Sequence, residues 1–366
     1  MLNRKYLSCE KYYFGNVVIN MNKELIIDYS KQNLCKIYIS DSIFSADDSI
    51  FANLSTFNQN LTCDRRFMLI DSNVYSIYAD DVDKFAKNNS VSISVIDIGE
   101  DITTQIANLI KENDFCGSSV SLCGGCSLIE AANEIFADMN FDEILIPTTL
   151  ASIVRYCIDD NHAPLYATVS LQFIKTLPHR YISSAMAEVL KFALLRDGMF
   201  YEWLIMNFNE ILDCNFDALF NMIDKTLQIK NLIYKLDSKG TKERFMLGFG
   251  EIIGEGLKNC LDTEISDGSA TALGIIAESY ISYQRSFLDK DEFYELRDMF
   301  VPFGLAISLD PFDKQKVIDY IIENYANEIG LIKMTALKKI GKATIFTDVT
   351  KDEINKALEE LIVEWD

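Results

Sequence analysis

Short apolar runs alternate with amphipathic segments between residue 16 and about residue 150. The predicted strands are residues 16–20, 36–40, 67–71, 92–98, 119–123 and 143–147. The helices predicted between the later strands are residues 76–87, 102–114 and 127–139. Apolar strands separated by helices of this length predict a parallel sheet with helices on both faces.

Beyond Pro178 the pattern changes to one helix after another. One apolar stripe at helical spacing consists of Met186, Val189, Leu190, Ala193 and Leu194. A second runs from Val317 to Tyr325, and Thr350 with Glu353 forms a capping box before the last helix. The chain is therefore predicted to fold as α/β plus all-α, with an α/β domain at residues 1–178 and a helical domain at residues 179–366.

Composition narrows the class of partner. The formal net charge of −21 argues against nucleic acid and against anionic membrane surfaces. No apolar run reaches the roughly 18 residues of a membrane helix, and the N-terminus lacks the apolar region of a signal peptide. Nine cysteines, an odd number, fit reduced thiols better than a disulfide framework. These features predict a cytoplasmic protein.

Polar residues and glycines follow several predicted strands, where ligands of parallel sheets bind. They are Asp71 to Asn73, Gly99 with Glu100, Gly124 with Gly125, and Thr148 with Thr149. The glycine pair could bring backbone amides to a phosphate at a helix N-terminus, although a tight turn is the commoner explanation. Cys123 and Cys126 have the spacing of a redox or metal motif, but packing at a strand end explains them better.

The stretch from Arg244 to Gly274 concentrates acidic residues and glycines. Glu251 and Glu255 lie one helical turn apart and should share a face. On spacing alone, a solvated acidic face is the simplest interpretation, and a cation or a positive side chain between the two glutamates is the alternative. Glycines inside a helix indicate close backbone packing or a ligand. Glu188 and Lys191, three residues apart, are most simply explained as a surface ion pair.

Several of these segments resemble, in order, the 3-dehydroquinate synthases and related sugar-phosphate cyclases. IPTTLASIV at 146–154 resembles that family's PTTL motif, and FIKTLPHR at 173–180 is similar to its FLKTLP segment. AEVLK at 187–191 resembles its AEVIK helix. GFGEIIGEG at 248–256 matches the frame of NFGHTFGHA, with glutamate at each histidine position, and Asp267 begins the frame of HGE. The ordered series is more specific than any single motif.

The resemblance implies a parallel-sheet nucleotide-binding domain that holds NAD, followed by a helical domain that holds metal and substrate, with the active site between them. It also implies a homodimer. Members of the family cyclise a seven-carbon sugar phosphate: NAD oxidises a hydroxyl, phosphate is eliminated, the hydride returns and the opened ring closes. The metal acts as a Lewis acid, and the cofactor carries the redox step.

The resemblance also implies roles for individual residues. Glu188, Glu251 and Asp267 occupy the metal-ligand positions. Lys191, Lys230 and Arg244 correspond to substrate-anion contacts, and Glu255 stands at the second helix histidine. The implied cofactor-binding residues are Asp71, Asn73, Glu100, Gly124, Gly125, Thr148 and Thr149.

The chain departs from the family's pattern at the same places. Glutamate and aspartate replace the histidine ligands, and an all-carboxylate set suits Mg²⁺, Mn²⁺ or Ca²⁺ better than Zn²⁺. Cys126 replaces the third glycine of the nucleotide loop, and the family's GGKTG lysine loop is missing. Two functions stay open: a 3-dehydroquinate synthase-like lyase with altered metal or substrate, and a catalytically inactive homologue with a structural, regulatory or binding role.

Overall fold

The structure is a computed structural model that describes residues 23–28, 34–40, 43–44, 65–136, 139, 141–158, 164, 166–237 and 243–363. The chain divides into two compact units, Met1–Leu177 and Pro178–Asp366. The predicted boundary between the two domains lies one residue later. The functions predicted for the domains stay predictions. None of the helices in the described ranges is long and apolar enough to cross a membrane.

The first unit is an α/β sandwich. Its strands are β1 Lys23–Asp28, β2 Leu34–Ser40, β3 Arg66–Asp71, β4 Val91–Ile96, β5 Ser119–Gly124, β6 Asp142–Pro147 and β7 Tyr166–Ser170. Its helices are α1 Ser72–Asn89, α2 Ile102–Glu112, α3 Cys126–Phe136, α4 Leu150–Tyr156 and α5 Leu171–Lys175.

The seven strands form one sheet in the order β1-β2-β7-β6-β5-β3-β4. All neighbours pair in parallel except β1, which pairs antiparallel with β2. The chain passes from β3 to β4 on one side, and then returns to β5 on the other side of β3. The strand order therefore reverses between β3 and β5, which makes their carboxyl ends the topological switch point of the sheet.

The core of this unit fits the predicted pattern of apolar strands. Met68 and Ile70 on β3, Cys123 on β5 and Ile146 on β6 pack in one buried cluster with Val82 of α1. The predicted fold class is confirmed for this unit. The strand predicted at residues 16–20 lies outside the described residues. Strands β1 and β7 were not predicted.

The second unit is mainly helical. Its helices are α6 His179–Arg196, α7 Gly198–Met206, α8 Phe208–Leu212, α9 Phe216–Leu236, α10 Glu251–Cys260, α11 Asp267–Gln284, α12 Lys290–Asp298, α13 Lys314–Tyr325 and α14 Lys351–Glu360. Short 3₁₀ turns occur at Arg244–Gly248 and Val301–Phe303. The predicted capping box at Thr350 and Glu353 is present at the start of α14.

Helix α11 is the centre of this unit. It contacts α6, α10, α12, α14 and the first strand of a hairpin. Most of its residues are buried, including Leu273, Ile276 and Ala277. A helix that is buried on most sides has no broad polar stripe, which explains why small and apolar residues predominate in its sequence.

An antiparallel hairpin, β8 Ile332–Lys339 and β9 Lys342–Val349, interrupts the helices. The prediction of an all-helical second domain is wrong at this point. The strands are joined through Ile340 and Gly341, and Gly341 has a φ of 78°. Glycine adopts this left-handed conformation without steric cost, so a lysine-rich segment can reverse direction here.

Candidate active site

The carboxyl ends of β3 and β5 bring together residues from two of the predicted cofactor motifs. Asp71 ends β3, and its carboxylate accepts a hydrogen bond of 2.8 Å from the Asn73 amide, so it caps α1. Gly124 ends β5, and a Cβ built there would lie 3.3 Å from the Asp71 Cβ. Gly99 and Glu100 follow β4 in an exposed turn, in which the Glu100 amide donates to Asp97.

Thr148 and Thr149 lie beside the glycine pair. The Thr148 amide donates to the Gly124 carbonyl at 3.0 Å, and Thr149 forms a capping box with Ser152 at the start of α4. A Cβ at Gly125 would lie 3.3 Å from the Thr149 methyl group. The turn between β5 and α3 is therefore packed so closely that small residues are needed on both sides.

The two cysteines of this turn have different environments. Cys123 is fully buried in β5, and Cys126 is half-buried at the start of α3. Burial strongly raises the pKa of the Cys123 thiol, with a smaller contribution from the Asp71 carboxylate. Because the thiolate is the reactive form of cysteine, Cys123 is unsuited to redox chemistry. This agrees with the interpretation that Cys123 serves packing at the end of a strand.

In the helical unit, the glycines of the acidic stretch serve close backbone packing. A Cβ at Gly274 would lie 1.8 Å from the Gly250 carbonyl oxygen, and one at Gly254 would lie 2.6 Å from the Ala270 carbonyl oxygen. These glycines let α10 and α11 touch backbone to backbone. Gly268 does the same between α11 and α6, where its amide donates to the Ser184 hydroxyl at 2.9 Å.

Glu188 and Lys191 are buried, and the prediction of a surface ion pair is wrong. Lys191 Nζ lies 2.8 Å from Glu188 Oε2 and 3.2 Å from Glu251 Oε1, and only 3% of its side chain is exposed. Both residues are buried where α6 packs against other helices. The apolar stripe of the sequence does not reveal this burial, because it counts apolar residues only. Burial by itself would lower the pKa of Lys191, but the carboxylates of Glu188 and Glu251 raise it overall.

The other acidic residues also have partners. Glu251 and Glu255 are exposed and lie one turn apart on α10, as expected for a solvated face. Glu255 accepts the hydroxyl hydrogen of Tyr325, and Asp267 forms an ion pair with Lys258. Burial, with this bond to Glu255, raises the pKa of Tyr325.

The three positions predicted as metal ligands do not fit a divalent ion as they are placed. Within the described part of the chain, no group of three or more His, Cys, Asp or Glu side chains is arranged to hold a metal. Glu188 and Glu251 share the Lys191 ammonium, and Asp267 pairs with Lys258. Each carboxylate that a metal would need is thus paired with a lysine ammonium.

Lys230 and Arg244 are two cations that lie over the same aromatic ring, that of Tyr234. The Arg244 guanidinium lies 4.5 Å from the ring centre of Tyr234, and Lys230 Nζ lies 5.9 Å from it. Lys230 is on α9, one turn before Tyr234, and is only 5% exposed. The spacing of Lys230 and Tyr234 could have indicated this contact from sequence, but the position of Arg244 could not.

Glu278 is a buried acid that the sequence analysis missed. It is fully buried in α11, and its Oε2 accepts a 2.9 Å hydrogen bond from the Gly250 amide. It therefore caps α10, whose own N-cap residue is Gly250 with a φ of 82°. Burial raises the pKa of Glu278 to about 8, although hydrogen bonds from Gly250 and Ile253 lower it. The only sequence signal is an acid inside an apolar helix.

Comparison with known sequences matches the helical unit to a family. The family described as 3-dehydroquinate synthase C-terminal matches residues 185–325. The 3-dehydroquinate synthase of Clostridium tetani is 24% identical over 95% of this chain and 99% of its own length. That of Thermoanaerobacter pseudethanolicus is 26% identical over 87% of this chain and 96% of its own length.

Solved structures share the fold of most of the chain. The 2-epi-5-epi-valiolone synthase of Streptomyces hygroscopicus, with NAD⁺ and Zn²⁺ bound, superposes with a TM-score of 0.77 and 17% identity. The match covers 92% of this chain and 98% of that one. A 2-deoxy-scyllo-inosose synthase complexed with carbaglucose-6-phosphate, NAD⁺ and Co²⁺ gives a TM-score of 0.78 and 15% identity, over 93% of this chain and 100% of that one. The predicted fold class is thereby confirmed.

Proposed function

We propose that the chain is a sugar-phosphate cyclase of the 3-dehydroquinate synthase type with an altered metal site or substrate, because its sequence and fold are similar to those of such enzymes. It would eliminate phosphate from a seven-carbon sugar phosphate and close the ring with the help of NAD. The observation that carries this proposal is the burial of two lysines, Lys191 and Lys230, in the helical unit.

Buried cations need compensation, since transfer of a charge from water into a protein interior is costly. Lys230 is nearly fully buried and faces the Tyr234 ring together with Arg244. A fold that served only as a scaffold would be more stable with apolar side chains at such positions. Two cations around one ring are suited to bind the phosphate or carboxylate of an anionic substrate.

Lys191 is suited to a different task. Glu188 and Glu251 hold its ammonium in place and keep it protonated, because they raise its pKa. A fixed ammonium can donate a hydrogen bond to a substrate oxygen on which negative charge develops. Such a donor stabilises the transition state without reorganising.

The switch point of the sheet is suited to a dinucleotide. Asp71 and Gly124 flank it, and the Gly124–Gly125 turn leads into the N-terminus of α3, where amides can face a phosphate. Asn73, Glu100, Thr148 and Thr149 are the remaining residues proposed to bind NAD. When bound, NAD would oxidise a substrate hydroxyl and return the hydride.

The test measures NAD binding by calorimetry and phosphate release from a seven-carbon heptulosonate phosphate. Lys230→Met and Arg244→Met should each lower kcat/KM at least about 100-fold, because each removes a charged contact to the substrate. Lys342→Met, which changes an exposed lysine of the hairpin, is the matched control and should leave kcat/KM unchanged. Absence of both NAD binding and phosphate release would contradict the proposal.

The alternative function is that of an inactive homologue that binds a partner or ligand. The observation that favours it is the pairing of Glu188, Glu251 and Asp267 with lysines. Sugar-phosphate and NAD binding without any phosphate release would support this alternative. A homodimer and a cytoplasmic location belong to both proposals, and light scattering of the purified chain tests the dimer.

A further inference from the structure

The carboxylates at the three metal positions come from three helices. Glu188 lies in the middle of α6, Glu251 begins α10 and Asp267 begins α11. Close packing through Gly254, Gly268 and Gly274 fixes these helices against one another. The backbone positions of the three residues are therefore set by contacts between the helices.

Lys191 lies between two of the carboxylates. Its ammonium nitrogen is 2.8 Å from Glu188 Oε2 and 3.2 Å from Glu251 Oε1, so it bridges α6 and α10. The ammonium group has three N–H donors, and two of them form these hydrogen bonds to Glu188 and Glu251. The nearly complete burial of the lysine leaves it few alternative positions.

Lys258 provides the remaining positive charge. It belongs to α10, and its ammonium pairs with the Asp267 carboxylate at the start of α11. Two lysines thus serve three carboxylates, and none of the three carboxylates is without a cationic partner in the structure.

A divalent ion would have to displace these ammonium groups. Mg²⁺, Mn²⁺ and Ca²⁺ need several oxygen ligands within about 2.0 to 2.6 Å, so Glu188 and Glu251 would have to turn from Lys191 to the ion. The buried ammonium would then lie beside a second, doubly charged cation in a region of low dielectric, where like charges repel strongly.

We propose that the Lys191 ammonium is the resident cation of this site, and that the chain works without a divalent ion at Glu188, Glu251 and Asp267. This inference rests on the proposed function for the identity of the substrate. Lys191 would supply the fixed positive charge, and the substrate would bind directly to lysine and arginine side chains.

The test is a titration of the chelator-treated full chain with MnCl₂, followed by calorimetry and by the electron paramagnetic resonance signal of free Mn²⁺. The wild-type chain should show no stoichiometric binding up to millimolar Mn²⁺. Lys191→Met removes the ammonium that competes with a metal ion for the oxygens of Glu188 and Glu251, and it should bind Mn²⁺ at least about tenfold more tightly than the wild type. The matched control, Lys342→Met, should behave as the wild type does.

Two results would overturn the proposal. One is stoichiometric Mn²⁺, Zn²⁺ or Co²⁺ binding to the wild-type chain that disappears in Glu188→Gln. The other is a folded Lys191→Met variant that binds Mn²⁺ no better than the wild type. If Lys191→Met does not fold, the wild-type and Glu188→Gln titrations decide the question by themselves.

Phosphate release measured with and without chelator separates this inference from the proposed function. Release that continues in excess chelator supports both. Release that requires added metal supports the cyclase and overturns the resident ammonium. Absence of release from a chain that binds no metal contradicts the cyclase and agrees with the resident ammonium.

Discussion

The two units preserve their sites in different ways. In the α/β unit, the site at the switch point consists mainly of a strand order and a glycine turn, and both are present at β3 and β5. In the helical unit, the candidate site depends on side chains, and the three positions predicted to bind metal carry acids paired with lysines. A site defined by the backbone tolerates sequence change better than one defined by ligand identity, because the backbone path is fixed by the whole core.

The glycines show the same contrast. A Cβ at Gly274 would meet the backbone of Gly250, whereas a Cβ at Gly124 would meet the Leu128 side chain at 2.8 Å. Where the backbones of two packed helices are in contact, neither backbone can move without moving its helix. A leucine side chain can change its rotamer, although the core around it is close-packed.

The largest expected effect is that of Gly274→Ala. It should destabilise the helical unit by more than about 4 kcal/mol, because α10 and α11 would have to separate. Chemical unfolding followed by far-UV circular dichroism measures the loss. Gly198→Ala, whose Cβ would make ordinary contacts of 3.4 Å or more, is the control and should cost less than about 1 kcal/mol. Equal stability of the two variants would contradict the packing argument.

Lys191→Met should have the next largest effect on stability, about 3 kcal/mol at neutral pH. It removes the ammonium beside the buried Glu188 carboxylate, whereas Glu251 can be solvated because 51% of its side chain is exposed. Lys258→Met, which breaks an exposed pair, should cost at most about 1 kcal/mol. Denaturant midpoints of both variants check the difference, and a larger loss for Lys258→Met would reverse the assignment of the central cation.

Gly124→Ala tests the α/β unit and should cost about 1 to 2 kcal/mol, because Leu128 must repack. Gly125→Ala is the matched neighbour. Its Cβ would lie 3.3 Å from the Thr149 methyl group, so its cost should be smaller. Thermal unfolding of the two variants measures the difference. A cost as large as that of Gly274→Ala would remove the proposed difference between the two units.

The smallest effect concerns an ion pair away from the candidate site. Arg285 bonds to Glu353 at 2.6 Å, and this bond lowers the pKa of Glu353 to about 2, although burial acts in the opposite direction. Since the folded-state pKa lies below the ordinary value of about 4.3, this contribution is complete above pH 5 and is lost as the pH falls towards 2. Solvent screening of these partly exposed groups reduces it to about 1 kcal/mol.

Glu353→Gln should therefore lower the unfolding free energy by about 1 kcal/mol at pH 7 and by progressively less towards pH 2. Glu323→Gln, at an exposed position of α13, should show no such dependence. Urea unfolding at several pH values compares the two. A difference between Glu353→Gln and wild type that grows as the pH falls would contradict the assigned pKa.

The sequence predicted the elements whose signal is local. The strand at residues 67–71 was predicted from its run of apolar residues. The last helix was predicted from its apolar stripe and from Thr350 and Glu353, which are three positions apart as in a capping box. The hairpin formed by β8 and β9 was missed, because the second domain was predicted from its helical stripes alone. The turn of the hairpin depends on one glycine, Gly341. The contact of Arg244 with Tyr234 was missed because the two residues are brought together by tertiary packing.

By itself, the sequence determined the α/β-then-helical order, the family resemblance and the acidic residues at the positions predicted to bind metal, since these are properties of spacing and residue type. Only the tertiary structure decided that Glu188 and Lys191 are buried, that Lys191 reaches Glu251 sixty residues away, and that Glu278 caps α10. Burial and pairing depend on which helices touch. That in turn depends on the Gly250–Gly274 contact, which no residue pattern along one helix can specify.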